Sequence, residues 1–134
     1  MIGDLKGELL DAVLDAVPAK LTVIDRDDRI VARNRHDKRL FKRDEGLIGS
    51  DIRGCHTEKS MDMLERMLDG MKRGTIDSAR FWYDEPVGEG GAMHKMLIEY
   101  FALRDTGGAY LGCLGVTQDI EEIRSLEGER RTLP

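Results

Sequence analysis

The sequence predicts an α+β domain in which five antiparallel strands form one sheet with helices on one face, preceded by an N-terminal amphipathic helix. Residues 21–25 and 29–34 are two β-branched runs around a short Asp-rich turn, which predicts a hairpin. Three more strand candidates, residues 78–84, 93–104 and 109–117, occupy the second half of the chain. The long connection between the second and third strands carries a helix and must cross the sheet, which leaves a space for a ligand between them.

The size and charge of the chain narrow the class of protein. Its 134 residues are the length of a single domain, which we divide into an N-terminal helix (1–17), a core (18–118) and a C-terminal helix and tail (119–134). The formal net charge is −5 and no basic face is apparent, so nucleic acid is not an expected partner. No apolar run is long enough for a membrane span, and no membrane partner is expected. The N-terminus has no signal-peptide pattern, and two cysteines make no disulfide framework, which together predict a cytoplasmic protein with reduced thiols.

Helices are predicted at both ends of the chain. Residues 5–17 place leucine and valine at helical spacing, and Pro18 ends this helix. The helix either docks on its own core or packs against a second copy of the chain. In the second case, a homodimer, the contact residues are Leu9, Leu10, Val13 and Leu14. Residues 119–129 predict a closing helix in which Asp119 is the N-cap and Glu122 reaches back to it.

The connection that crosses the sheet holds two predicted helices. Residues 36–43 are basic and predict a short helix, whereas residues 60–72 predict the clearest helix of the chain. Thr57 or Ser60 is expected to cap the longer helix, and Gly74 to end it. Its apolar stripe consists of Leu64, Met67, Leu68 and Met71. Because methionine fills irregular space and adapts to its neighbours, we expect this stripe to be core and in part pocket lining.

Several segments of the sequence resemble the PAS domain family. They are residues 10–19, 23–25, 30–34, 48–49, 110–112 and 119–120. A closer resemblance is to a PAS variant attached to hemerythrin-like domains, whose marks are Cys-His-Pro-Pro-Lys-Ser and Leu-Glu-Gly-Glu-Arg-Arg. Residues 55–60 here read Cys-His-Thr-Glu-Lys-Ser, and residues 126–131 read Leu-Glu-Gly-Glu-Arg-Arg. The two prolines of the variant are replaced by Thr57 and Glu58.

The resemblance implies a PAS fold and a sensory role in signal transduction. Such a domain binds a small molecule or cofactor and relays a signal through its terminal helices to an effector domain or protein, or to a second copy. Asp119 and Glu122 are then the expected signal-output residues. The second hypothesis is a ligand-free dimerisation and protein-interaction module. No nucleophile elbow and no phosphate-binding glycine loop with lysine is present, so we expect no enzyme.

Cys55 and His56, just before the central helix, are the most chemically suggestive pair. Imidazole and thiolate are both good ligands for iron, so haem held by His56 is one alternative. Oxygen-sensing haem PAS domains, however, carry the axial histidine within the central helix, where this chain has none. The other alternative is that Cys55 only packs and His56 caps or hydrogen-bonds. The cysteines and histidines are too scattered along the sequence to predict a zinc site, and the sequence does not identify a cofactor.

Strand residues complete the predicted binding site. His94 and Tyr100 are an even number of residues apart, so they share one face of their strand. Trp82 is the single tryptophan and either packs on the sheet or contacts the ligand. The full set of predicted site residues is Cys55, His56, Leu64, Met67, Met71, Trp82, His94 and Tyr100.

Overall fold

Five antiparallel strands form the centre of the protein. The computed structural model describes residues 1–36 and 48–134, apart from the Cys55 side chain. The strands are β1 (Lys20–Asp25), β2 (Ile30–Arg33), β3 (Ser78–Val87), β4 (Ala92–Arg104) and β5 (Tyr110–Asp119). They form one sheet in the order β2-β1-β5-β4-β3. The predicted α+β class and the five-stranded antiparallel sheet are therefore confirmed.

Three α-helices and one 3₁₀ helix accompany the sheet. They are α1 (Gly7–Ala16), the 3₁₀ helix (Ile52–Cys55), α2 (Glu58–Arg73) and α3 (Glu121–Arg124). The predicted short helix at residues 36–43 lies, from residue 37 onward, outside the described residues. Within the described ranges, no helix is long and apolar enough to cross a membrane.

The closing helix is shorter than the sequence predicts. The prediction of a helix over residues 119–129 is wrong, because β5 continues to Asp119, which pairs with Met96 of β4. Asp119 therefore belongs to the sheet, and α3 covers only Glu121–Arg124. The residues that follow are exposed and bury no apolar face, and an isolated helix of that length is marginal in water.

The core lies between α2 and one face of the sheet, which we call the inner face. Leu64 and Met71 of α2 are fully buried there, as are Ile24 and Cys113 of the sheet, and Tyr100 is buried beside them. The predicted apolar stripe of α2 is thus confirmed. The end of α2 is also as predicted: Gly74 adopts a left-handed conformation, and its N–H donates to the carbonyls of Gly70 and Met71. Thr57 is the N-cap residue but makes no side-chain cap hydrogen bond.

Helix α1 packs only loosely. None of its residues is buried, and Leu9, Val13 and Leu14 are exposed. Its apolar positions therefore do not contribute to the core that α2 and the inner face share.

Candidate functional site

Four of the predicted site residues meet in the interior. Leu64, Met67 and Met71 of α2 are buried against Tyr100 of β4. The Tyr100 and Phe81 rings also pack edge to face, with the ring centroids 6.3 Å apart. The interior between α2 and the inner face is thus lined by adaptable methionines on one side and by aromatic strand residues on the other.

Trp82 lies away from this interior. Its neighbour Phe81 packs against the core, and because side chains alternate along a strand, Trp82 points to the opposite, outer face. It is 65% exposed. The structure therefore separates Trp82 from the four predicted site residues in the interior.

Cys55 and His56 stand before the first turn of α2. Cys55 ends the 3₁₀ helix, and its side chain lies outside the described part of the structure. His56 is half-buried, and its Nδ1 is 3.4 Å from Oγ of Ser60. Among the described residues, no group of three His, Cys, Asp or Glu side chains could hold a metal ion. The role of His56 in holding a cofactor therefore stays a prediction.

The other cysteine, Cys113, is a core residue of β5. It is fully buried, and burial raises the pKa of its thiol to about 11. At neutral pH the thiol is therefore protonated, and it is neither a nucleophile nor a good metal ligand.

A charged network joins the turn of the first hairpin to α2; we call it the Asp28 network (Asp28, Asp51, Arg53, Glu65 and Lys72). Oδ2 of Asp28 accepts from Nη2 of Arg53 at 2.9 Å and from Nζ of Lys72 at 2.8 Å. Arg53 also donates to Asp51 and Glu65. The side-chain hydrogen bonds raise the pKa of Arg53 and lower the pKa of Glu65. The pKa of Asp51 is lowered mainly by the hydrogen bond that its Oδ1 accepts from the Arg53 backbone N–H. The network fastens α2 to the β1–β2 turn.

Asp28 is an unusual position for a carboxylate. It is only 4% exposed. Its φ is 63°, and it is the single non-glycine residue with positive φ among those the structure describes. A buried charge and a left-handed backbone both cost free energy, so the surroundings must hold this residue in place.

The end of β5 is tied to the start of β4. Nδ1 of His94 lies 2.6 Å from Oδ2 of Asp119, and Oδ1 of Asp119 accepts from the Glu121 N–H at 3.0 Å. The bond to Asp119 raises the pKa of His94. Burial alone would raise the pKa of Asp119, but the hydrogen bonds from His94 and Glu121 outweigh it and lower that pKa. His94 and Tyr100 share a face as predicted, but His94 serves this junction rather than the interior.

The prediction that Asp119 caps the closing helix and that Glu122 reaches back to it is wrong: the N-cap of α3 is Ile120, which makes no side-chain cap hydrogen bond. Glu121, rather than Glu122, reaches back from α3: its carboxylate accepts from the Lys95 N–H at 2.7 Å. In the described part of the chain no hydrogen bond joins the Glu122 side chain to Asp119. Because β5 continues to Asp119, the residue that lies over β4 is Glu121, two positions later.

The start of the sheet has a matching junction at Asn34. Its Nδ2 donates to the carbonyls of Leu14 in α1 and Ala19, both at 2.9 Å, and its Oδ1 accepts from the Leu21 N–H. The Arg35 N–H donates to Asp15 in addition. Sequence reasoning assigned no role to Asn34, although its position directly after the second strand was a usable signal.

Comparison with known proteins identifies the family. Residues 10–121, most of the chain, match the PAS domain family. The chain belongs to the PAS domain family. No protein with curated function matches this PAS domain in sequence.

Solved structures resemble this PAS domain along most of its length. A C-terminal domain from Streptococcus mutans is 25% identical, with a TM-score of 0.80, and the match covers 95% of this chain and 94% of that one. A sensory box sensor histidine kinase from Vibrio cholerae is 19% identical, with a TM-score of 0.55, and the match covers 83% of this chain and 88% of that one. The Vibrio cholerae VqmA dimer is 16% identical, with a TM-score of 0.59, and the match covers 85% of this chain and 52% of that one.

Proposed function

We propose that this PAS domain is a cytoplasmic sensor that binds a small molecule between α2 and the inner face and relays a signal through its terminal helices. The observation that carries the proposal is the attachment of both helices at one end of the sheet. Lys20 at the start of β1 pairs with Thr117 near the end of β5, so α1 arrives where α3 departs. We assign the domain no catalytic activity.

Both helices are held mainly by polar contacts rather than by buried apolar surface. Neither α1 nor α3 has a buried residue. Asn34 fastens the first, and Asp119 with Glu121 fastens the second. Elements with little apolar burial open at low free energy, so a change in the interior that shifts either junction would release a helix.

Ligand binding draws its support from the interior and from one structural neighbour. The methionines that line α2 can repack around a guest molecule. VqmA, which shares the fold, has also been solved bound to DPO. We further propose that the chain is the variant attached to hemerythrin-like domains, on the strength of residues 55–60 and 126–131, and that its partner is an effector domain or protein.

The proposed ligand binding is tested by identifying any small molecule that is bound to the purified protein. Native mass spectrometry and a visible spectrum of freshly purified protein should show a bound small molecule, and a Soret band would identify haem. A featureless spectrum with no ligand mass would instead support the second candidate, a ligand-free dimerisation and interaction module. That candidate is favoured by one observation, the exposed apolar side of α1.

We expect α1 to form a homodimer contact through Leu9, Leu10, Val13 and Leu14. Burial of four such side chains contributes several kcal/mol at roughly 25 cal/mol per Å² of apolar area, before the costs of association. Light scattering at high micromolar concentration should give a dimer for the wild type and a monomer for the double variant Leu9→Glu, Val13→Glu. Leu126→Glu, in the exposed tail, should stay dimeric. A monomeric wild type would refute the dimer.

We expect Asp119→Ala to leave the domain folded but to loosen α3. The change removes both the bond to His94 and the bond to the Glu121 N–H, and loss of such a hydrogen bond costs about 1 kcal/mol. Hydrogen exchange should then be faster over residues 120–125. The exposed Glu122→Ala variant is the matched control and should exchange like the wild type. Equal protection in all three proteins would exclude α3 as the output element.

A further inference from the structure

Two polar atoms in the interior have no hydrogen-bond partner in the described part of the structure. They are Oδ1 of Asp28 and the hydroxyl oxygen of Tyr110, and both are buried. Buried polar groups are normally satisfied, because an unpaired one loses its bonds to water and gains nothing in return. A carboxylate oxygen that accepts nothing and a hydroxyl that donates to nothing therefore require an explanation.

The two residues belong to the same end of the interior. Asp25, three residues before Asp28, pairs with Gly112 of β5, two residues after Tyr110. The guanidinium of Arg104 lies over the Tyr110 ring at 6.0 Å and also donates to the Met71 carbonyl at 2.8 Å. Since Lys72, which follows Met71, binds Asp28, the end of α2 closes over both side chains.

The electrostatics agree with this placement. Burial raises the pKa of Tyr110 to about 12, and the charge of Asp28 adds to that rise. Asp28 likewise adds to the raised pKa of Cys113. Tyr110 is therefore a protonated hydroxyl at neutral pH, available as both donor and acceptor.

Charge decides which chemical group would fit. Oδ2 of Asp28 already binds Arg53 and Lys72, so its charge is compensated and a third cation would gain little. An anionic group has no proton with which to donate a hydrogen bond to the unpaired Oδ1. An uncharged hydroxyl satisfies both atoms, because it donates to the carboxylate and accepts from the tyrosine.

We propose that Oδ1 of Asp28 and the Tyr110 hydroxyl form a subsite for the hydroxyl group of an uncharged small molecule whose apolar part lies along the buried methionines of α2. The subsite rests on the proposed sensor function and specifies the ligand class. The positive φ of Asp28 supports it, because a strained and incompletely bonded residue is characteristic of a site kept for binding.

The test uses the full chain and three probes that differ only in head group: 1-butanol, butylammonium and butyrate. Amide chemical shifts of ¹⁵N-labelled protein are followed in each titration. 1-Butanol should give saturable shifts around Asp28, Met71 and Tyr110, and the two charged probes should not. Tyr110→Phe should weaken 1-butanol binding about tenfold, the effect of one well-placed hydrogen bond. The control Tyr83→Phe alters an exposed hydroxyl that bonds Glu85 and should change nothing.

Three outcomes would overturn the subsite. They are 1-butanol binding that Tyr110→Phe leaves unchanged, equal binding of the butylammonium probe, and a single ordered water on the two atoms that no probe displaces. None of these bears on the sensor function itself, which is judged by the ligand that copurifies with the protein. A copurified ligand that contacts other residues would be a fourth such outcome, which overturns this subsite but leaves the sensor function standing.

Discussion

Replacing Gly112 with alanine should destabilise the domain by about 3 kcal/mol or more, enough to unfold a marginal protein. A Cβ at this position would lie 2.1 Å from the carbonyl oxygen of Ile24 and 3.2 Å from Cα of Asp25. Both contacts are to backbone, so no side chain can rotate away. Gly112 pairs with Asp25 in the middle of the sheet, and relief of the clash would have to separate β1 from β5.

Urea unfolding followed by circular dichroism measures this loss. Gly90→Ala is the matched control, because Gly90 is exposed and a Cβ there meets no atom within 4 Å. Its stability should stay within about 0.5 kcal/mol of the wild type. Equal stability of the two variants would mean that β1 and β5 do not approach as closely as described.

Arg53→Met should cost about 2–3 kcal/mol, because it leaves the buried Asp28 carboxylate with Lys72 as its one remaining cation among the described residues. Removal of one partner from a buried pair typically costs about 3–5 kcal/mol. The expected loss is smaller here because the Arg53 side chain is about a third exposed and its pairs with Asp51 and Glu65 are screened by solvent.

The comparison for this variant is Arg66→Met in α2. Arg66 pairs with Asp62, and both side chains are at least 80% exposed. Its removal should change the free energy of unfolding by no more than about 0.5 kcal/mol. Urea denaturation of the two variants in parallel measures this difference. Similar free energies of unfolding for Arg53→Met and Arg66→Met would mean that the Asp28 network does not stabilise the fold.

Much of the fold could be predicted because the signals are local. The spacing of Leu64, Met67 and Met71 specified both the existence of α2 and its buried side. The same alternation that put His94 and Tyr100 on one face would have excluded Trp82 from the interior, had Phe81 been recognised as the inward residue. Whether Phe81 or Trp82 points inward depends on which face of the sheet α2 covers, and the sequence of the strand does not indicate that face.

The Asp28 network could not be predicted, because it joins distant parts of the chain. Arg53 and Lys72 reach Asp28 from 25 and 44 residues away. In the sequence, Asp28 is one of several acidic residues in a turn, and its burial follows from the helix that covers it. The error at Asp119 has the same origin, since pairing with Met96 extends β5 past the point where a local cap signal begins.

The sheet order has a consequence for how fast the protein folds. The central pair joins β1, near one end of the chain, to β5, near the other. The hairpins β1–β2 and β3–β4 can form from neighbouring residues, but the two halves join only when nearly the whole chain has closed into a loop. Pairing over such separations slows folding, because the entropy of loop closure is lost before the contacts are gained. During synthesis on a ribosome, the edge of β1 that pairs with β5 therefore stays unpaired until almost all of the domain has emerged.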